Sequence, residues 1–362
     1  MTSPRLLFAG GGTGGHVFPA VAVAQAVLEK EPSARIRFAL PSGRGNFLKG
    51  SPWETVTLPA PRLGGPPWRW PLVGVGGLGA VASLARLMAE FRPQAVVGTG
   101  GYASLGAVLA ARLARIPVML LEPNAVAGRA NRFLSRFADE VDAAWEFDYE
   151  PWSETRHPFS SRTRLIVTGN PVRAEILSLA GKEEGRGLLV FGGSLGAAAI
   201  NRAAAEAVPE IARVFPGLPV RHVTGPADFA RVAAQYRARG VAADVRPFLS
   251  DMRSAYREAS VVVCRAGGNT LAEVLALGKA ALIVPYPKAM DDHQRANALQ
   301  AAQGGAALMV EEAELTPARL AAEVSRLLGD AGARQALGRS ARAGQARRRP
   351  GRCRPRPGPC PD

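Results

Sequence analysis

"RLLFAGGGTGGHVFPAVAVAQAVLEK", residues 5–30, decides how the rest of the chain reads. An apolar run leads into six residues, five of them glycine, and then into a helix-periodic apolar segment that opens with His16. A glycine turn between strand and helix lets backbone N–H groups approach a phosphate at the positive end of the helix. Gly10, Gly12 and Gly15 satisfy G-x-G-x-x-G, which also fits a dinucleotide-binding turn. That fingerprint expects a carboxylate about twenty residues further on. The next strand instead ends "FALPSGRG", leaving only Arg44 for a 2′-phosphate. Glycines serving a tight turn alone are the third reading.

Outward from this stretch the strand–helix alternation continues. "RIRFAL", "QAVVGTGG", "IPVMLLEPNA", "ADEVDAAW" and "RLIVTGNPV" complete a first half. "GLLVFGGSLGAAAIN", "LPVRHVTG", "ADVRPFL", "SVVVCRAGGNTLAE", "AALIVPYP" and "AALMV" form a second. Such alternation predicts parallel sheets with helices on both faces. The expected fold class is α/β, with two Rossmann-like domains facing a cleft. The expected domains are residues 1–172 and 173–337, followed by a basic tail at 338–362. Each half carries two glycine loops, which suits two phosphorylated ligands, one per domain.

At 362 residues the chain is long for one core. No cleavable signal peptide is read at the start, because the first apolar run stops at the glycine loop. "PLVGVGGLGAVASLARLM" (71–88) is glycine-rich and contains Arg86, so it reads as a loop entering a helix rather than a membrane span. The three cysteines show no C-x-x-C spacing, and Cys264 reads as a small buried hydrophobe. The net charge of +15 invites an anionic partner. Much of it lies in "ARRRPGRCRPRPGPCPD" (346–362), with six arginines, where frequent proline opposes helix and sheet and predicts disorder.

Several clusters carry chemistry. His16, Glu122 and Asn124 accompany the first-domain loops. Thr270-x-x-Glu273 has the spacing of a capping box. Alternatively, Glu273 lies one turn inside a phosphate-binding helix, placed to accept both hydroxyls of a ribose. In "PKAMDDHQRANA" (287–298), Asp291, Asp292 and His293 raise a metal, but three adjacent residues cannot all point inward. Gln294 and Asn297 share a helix face and suit sugar hydroxyls.

Together "GGTGGHVFPAVAVA", "GTGGYAS", "EPNAVAGRANR", "GNPVR", "GGSLGA", "VVVCRAGGNTLAE" and "DDHQRANA" make the chain resemble the MurG family of UDP-N-acetylglucosamine transferases. The resemblance implies a GT-B glycosyltransferase fold and an inverting transfer of N-acetylglucosamine to lipid I, giving lipid II. It implies an acceptor-binding first domain and a donor-binding second one. Thr13, Gly14, Gly15, Gly100 and Gly101 would face the acceptor diphosphate. Arg173, Ser194 and Thr270 would meet the donor diphosphate, Leu249 the uracil and Glu273 the ribose. Gln294 would bind the sugar, with His293 and Asn297 close by. His16 is the candidate base for the attacking 4-hydroxyl, with Glu122 and Asn124 as rivals; ordering the loop is the alternative task for His16. No cofactor and no metal are expected.

A lipid acceptor requires a membrane surface. Trp68 and Trp70 flank Arg69 ahead of the apolar run, a combination suited to an anionic interface. Peripheral attachment at the cytoplasmic face of the bacterial inner membrane follows as an expectation, with other cell-wall synthesis proteins as possible partners. A lipid or sterol glycosyltransferase of the same fold is the near rival, and "EPNAVAGRANR" argues against it. A UDP-N-acetylglucosamine 2-epimerase needs its own acidic constellation. No nucleic-acid partner is expected, since the basic residues are spread out or lie in the tail.

Overall fold

The computed structural model describes residues 3–11, 14–41, 48, 51–58, 82–146, 163–182, 185–193 and 196–347. The first half builds a parallel sheet from β1 (Arg5–Ala9), β2 (Arg35–Pro41), β3 (Glu54–Leu58), β4 (Ala95–Gly98), β5 (Val118–Glu122), β6 (Glu140–Ala143) and β7 (Arg164–Val167). Their order is β3-β2-β1-β4-β5-β6-β7. The second sheet holds β8 (Gly187–Phe191), β9 (Val220–Val223), β10 (Ala243–Arg246), β11 (Ala259–Cys264), β12 (Ala280–Ile283) and β13 (Leu308–Met309). Its order is β10-β9-β8-β11-β12-β13, again parallel.

Helices α1 (Gly14–Lys30), α2 (residues 82–91), α3 (Tyr102–Leu113) and α4 (Arg129–Leu134) belong to the first half. The short α5 (Ala174–Leu177) leads into the second, which continues through α6 (Ala198–Val214), α7 (Phe229–Ala238), α8 (Met252–Glu258) and α9 (Gly268–Leu277). It closes with α10 (His293–Gln303), α11 (Pro317–Gly329) and α12 (Ala331–Arg347).

In each sheet the strand order reverses once, between β1 and β4 and between β8 and β11. The glycine loops leave the carboxyl ends of these four strands, so all four open where parallel α/β sheets bind ligands. The central strands are apolar throughout because both faces are covered. Leu7 and Ala9 pack on one side of the first sheet and Phe8 on the other. In the second sheet, Leu189, Phe191, Val262 and Cys264 share one face, while Leu188, Val190, Val261 and Val263 share the opposite one. The first of these layers also takes in Ala125, Ala144 and Trp145 from the first half.

The anticipated α/β architecture of two facing Rossmann-like domains is the one adopted. One expected boundary shifts. α12 runs through residue 347, past the expected start of the tail at 338, and buries Ala341 against the core that contains α9. No proline occurs before Pro350 to interrupt it. Residues 348–362, with Cys353 and Cys360, lie outside the described residues, as do Arg44, Trp68, Arg69, Trp70 and residues 71–81. Residues 82–88 of the expected loop-to-helix segment fall in α2. Among the described residues no helix is long and apolar enough to cross a membrane.

Candidate active site

The first glycine loop is held by close packing. A Cβ on Gly10 would lie 1.9 Å from Thr99 Oγ1, at the base of the β4 loop. Gly11, Gly100 and Gly101 have φ of +127°, +89° and +77°, open to glycine and strained for other residues. Gly14, Gly15 and His16 form the first turn of α1, and Gly12 and Thr13 lie outside the described residues. The His16 ring sits beneath Gly100 and Gly101. Cβ atoms there would come 3.3 Å from its Nε2 and 3.8 Å from its Nδ1, with the Gly11 carbonyl 3.1 Å from the latter Cβ. Burial pushes the His16 imidazole below its usual pKa, more than its hydrogen bond to the Gly11 carbonyl pulls it up; a charge on His293 lowers it further. His16 of the first domain therefore lies within electrostatic reach of His293 of the second.

The β5–α4 loop is organised around Glu122, which is 2% exposed. Its Oε1 accepts from the Asn124 backbone at 3.0 Å and from Asn124 Nδ2 at 3.2 Å. Its Oε2 accepts from the Gly128 backbone at 2.8 Å and Asn131 Nδ2 at 3.0 Å. Burial raises its pKa against those four donors. With four donors filling the acceptor positions of its carboxylate, the geometry gives Glu122 the work of shaping residues 123–131 rather than of reaching a substrate hydroxyl.

On the donor side, Gly193 has φ of +91°, and among the described residues a Cβ there would meet nothing within 4 Å. Ser194, the next residue, lies outside the described residues. Gly267, not Thr270, is the N-cap of α9. Thr270 lies inside the first turn, so the capping-box reading falls. Glu273 faces three donor atoms of two residues. Its Oε1 accepts from Arg173 Nη2 at 2.7 Å and Nε at 3.2 Å, and its Oε2 from the Tyr256 hydroxyl at 3.0 Å. The Arg173 guanidinium also lies 4.7 Å from the Phe18 ring centroid of α1. Leu249, half-buried, packs on the same core beside α8.

The segment between β12 and α10 completes the site. Gln294 Oε1 accepts from the Tyr286 backbone at 3.1 Å, and His293 Nδ1 donates to the Met290 carbonyl at 2.7 Å. Asp291 turns away to Arg129 and Arg132, so Asp291, Asp292 and His293 do not converge on a metal. Asn297, expected near the sugar, is fully buried instead. Its Oδ1 accepts from the Ala125 backbone at 2.7 Å, and its Nδ2 donates to Asn124 Oδ1 at 3.1 Å and to the Ala266 carbonyl at 3.0 Å. With its amide hydrogen-bonded on every side by protein, it fastens the two halves together. Asn269 bridges them as well, donating to the Gly14 carbonyl at 3.0 Å while accepting from Asn170 at 3.0 Å.

The structure thus gathers His16, Gly100, Gly101, Glu122 and Asn124 on one wall, and Arg173, Thr270, Glu273, His293 and Gln294 on the other. Sequence reading missed Phe18, Tyr256, Asn269, Arg129 and Arg132. The two arginines lie within "GRANR", and their spacing of three on a helix was the available signal.

The glycosyltransferase family 28 N-terminal domain matches residues 6–142, and the family 28 C-terminal domain matches residues 187–348. A Pelobacter propionicus UDP-N-acetylglucosamine–N-acetylmuramyl-(pentapeptide) pyrophosphoryl-undecaprenol N-acetylglucosamine transferase is 42% identical, covering 90% of this chain and 91% of that protein. The crystal structure of Acinetobacter baumannii MurG superposes with a TM-score of 0.69 at 30% identity, covering 95% of both chains. A Listeria monocytogenes protein described as a UDP-N-acetylglucosamine 2-epimerase reaches 0.66 at 15% identity over 95% of this chain and 94% of its own, a likeness of fold alone.

Proposed function

Because the chain belongs to the MurG family of glycosyltransferase family 28, we propose that its cleft carries out that family's transfer with the residues described above. The protein moves N-acetylglucosamine from UDP-N-acetylglucosamine to the muramyl sugar of undecaprenyl-pyrophosphoryl-N-acetylmuramyl-pentapeptide, forming lipid II. The transfer inverts configuration: the acceptor 4-hydroxyl attacks the anomeric carbon from the face opposite UDP.

The observation that carries the site assignment is the environment of His16. One ring nitrogen of His16 donates to the Gly11 carbonyl, so in the neutral ring the other nitrogen keeps its lone pair. Burial and the positive end of α1 both disfavour the imidazolium. A neutral imidazole beneath the acceptor loops is poised to take the proton of the attacking hydroxyl. The Gly100–Gly101 turn and the start of α1 cradle the acceptor diphosphate.

Across the cleft, the Gly193 turn and the start of α9 receive the donor diphosphate, with Thr270 and Arg173 beside it. Leaving-group charge is met by these N–H groups and by Arg173. Glu273 accepts a ribose hydroxyl at the position its three protein donors leave open, Leu249 borders the uracil, and Gln294 and His293 border the sugar.

The enzyme works at the cytoplasmic face of the membrane as a peripheral protein. Supporting this, Leu113 is 88% and Phe133 45% exposed on the neighbouring helices α3 and α4. Arg112, Arg115 and Arg136 lie beside them in sequence, a pattern suited to anionic head groups. The test is transfer of label from UDP-N-acetylglucosamine to a lipid I analogue by purified protein. Product formation by the wild type, lost in His16→Ala with donor binding intact, is the expected result. Failure to bind UDP-N-acetylglucosamine overturns the donor site.

A further inference from the structure

We propose that Arg129 and Arg132, on the acceptor-side helix α4, are positioning residues for the donor sugar, acting through Asp291. This rests on the transferase reading above and adds to it a device by which one domain sets the geometry of the other.

Asp291 belongs to the second domain, yet its carboxylate is gripped from the first. Arg129 Nε lies 3.1 and 3.0 Å from the two carboxylate oxygens, and its Nη2 lies 2.6 Å from Oδ1. Arg132 Nη2 adds a contact at 3.3 Å to Oδ2. A planar guanidinium can hold both oxygens of a carboxylate and so fix orientation as well as distance. The peg is the sheltered partner: Asp291 is 22% exposed against 69% for Arg129.

The backbone at this point is unusual. Asp291 and Asp292 follow one another at φ of +50° and +51°, the left-handed region that residues with a Cβ avoid. Such a conformation persists only where its surroundings over-determine it. Bonds within the turn fix its shape: His293 Nδ1 to the Met290 carbonyl, the Tyr286 backbone to Gln294 Oε1, and the Asp292 and Ala289 backbones to the Ala289 and Tyr286 carbonyls. None of these fixes where the turn sits relative to the acceptor wall. The arginines do that. His293 and Gln294, the residues assigned to the sugar, follow two and three positions after Asp291.

One helical turn beyond, Asn297 makes the buried second fastening, to Asn124 and Ala125. Both fastenings end on residues 124–132, the segment whose start is shaped by Glu122 and which begins one strand away from the His16 loops. Register between the base and the sugar is thus built into this segment. An ion pair whose arginines are exposed adds little to stability. Its removal should therefore leave a folded protein with a misplaced sugar turn.

The experiment uses the full chain, with Arg129→Ala/Arg132→Ala, Asp291→Ala and the triple variant beside wild type. Steady-state transfer from UDP-N-acetylglucosamine is compared with calorimetric binding of UDP-N-acetylglucosamine and of UDP. Breaking the grip should lower kcat/KM for UDP-N-acetylglucosamine roughly tenfold, the scale of one charge-assisted hydrogen bond. UDP affinity should be unchanged, because the grip touches only the sugar turn. The triple variant should be no worse than Asp291→Ala, since the arginines act through that residue. Arg129→Lys should fall between, keeping the charge but not the fork. If Asp291→Ala fails to fold, Asp291→Asn removes the charge at constant shape.

Wild-type kinetics in the double arginine variant would overturn the proposal. So would an equal loss of UDP and UDP-N-acetylglucosamine affinity. If the wild type makes no product, the transferase reading falls by itself. The difference between the two calorimetric affinities then still decides whether the arginines place the sugar turn.

Discussion

Arg173 and Glu273 meet at 2.7 Å, joining the entry into the second domain to its α9 helix. The same guanidinium stacks over Phe18 of the first domain. The Tyr256 hydroxyl takes the other carboxylate oxygen at 3.0 Å. A residue assigned to the ribose is thus already held by the residue assigned to the diphosphate, so the donor site is preassembled.

Glu273→Ala should raise KM for UDP-N-acetylglucosamine roughly ten- to a hundredfold, because each hydrogen bond to a charged group contributes about 1.5–3 kcal/mol. It also leaves the Tyr256 hydroxyl without its acceptor, lowering stability by about 1–3 kcal/mol. Initial-rate kinetics and urea unfolding read the two effects separately. An unchanged KM would remove Glu273 from the donor site.

His16 should set the acid limb of the rate profile. Its pKa is lowered from 6.5, so it stays neutral until the pH falls below that value. kcat/KM should be insensitive to this group above pH 6.5 and decline only below it. His16→Ala should lose about 10²–10⁴ in turnover and lose that acid limb. A pH–rate series on both proteins checks it, and an identical limb in the variant would assign the base elsewhere.

Glu122→Gln tests the loop-shaping role. All four groups pointing at this carboxylate are N–H donors. A glutamine must turn its own N–H₂ toward at least one pair of them. Stability should fall by about 2 kcal/mol or more, in the range for buried hydrogen bonds to charged groups. Activity should fall with it, while UDP affinity holds. Thermal unfolding and UDP calorimetry separate these outcomes.

His222 should make stability fall in mild acid. It is fully buried, its Nδ1 2.9 Å from the Tyr236 hydroxyl and its Nε2 3.0 Å from Asn201 Oδ1. Burial pushes its pKa down to about 4 from 6.5. Between these values the unfolded chain binds the proton and the folded one does not. The contribution is therefore intact above pH 6.5 and is lost as pH falls toward 4. The loss is about 3 kcal/mol, since each tenfold difference in proton affinity between the folded and unfolded chain is worth about 1.4 kcal/mol. Denaturant unfolding at a series of pH values should show a shallower slope in His222→Gln than in wild type.

Much of the fold was legible because glycine loops and continuous apolar strands are local signals. β3 escaped notice because "ETVTL" is an edge strand with mostly exposed residues, which lacks the apolar run of its neighbours. The second wall of the site was readable as residue types but not as partners. Nothing local indicates that Arg129 meets a residue 162 positions away, or that Asn297 faces inward rather than toward a sugar. The spacing of Thr270 and Glu273 also allowed a capping box, which does not form for a local reason: a glycine at 267, preceding the helix, took the cap position that the motif gives to threonine.

The apolar layer beneath α9 and α10 is not the property of one half. Ala125 and Trp145 are embedded in it beside Leu271, Val274 and Ala298. Gly268 brings the start of α9 so close to Pro123 that an added Cβ would stand 2.6 Å from its carbonyl oxygen. Two domains that look separable in sequence therefore share one cooperative unit. Heating should melt them together, and either half expressed alone would present a bare greasy wound where the other belongs.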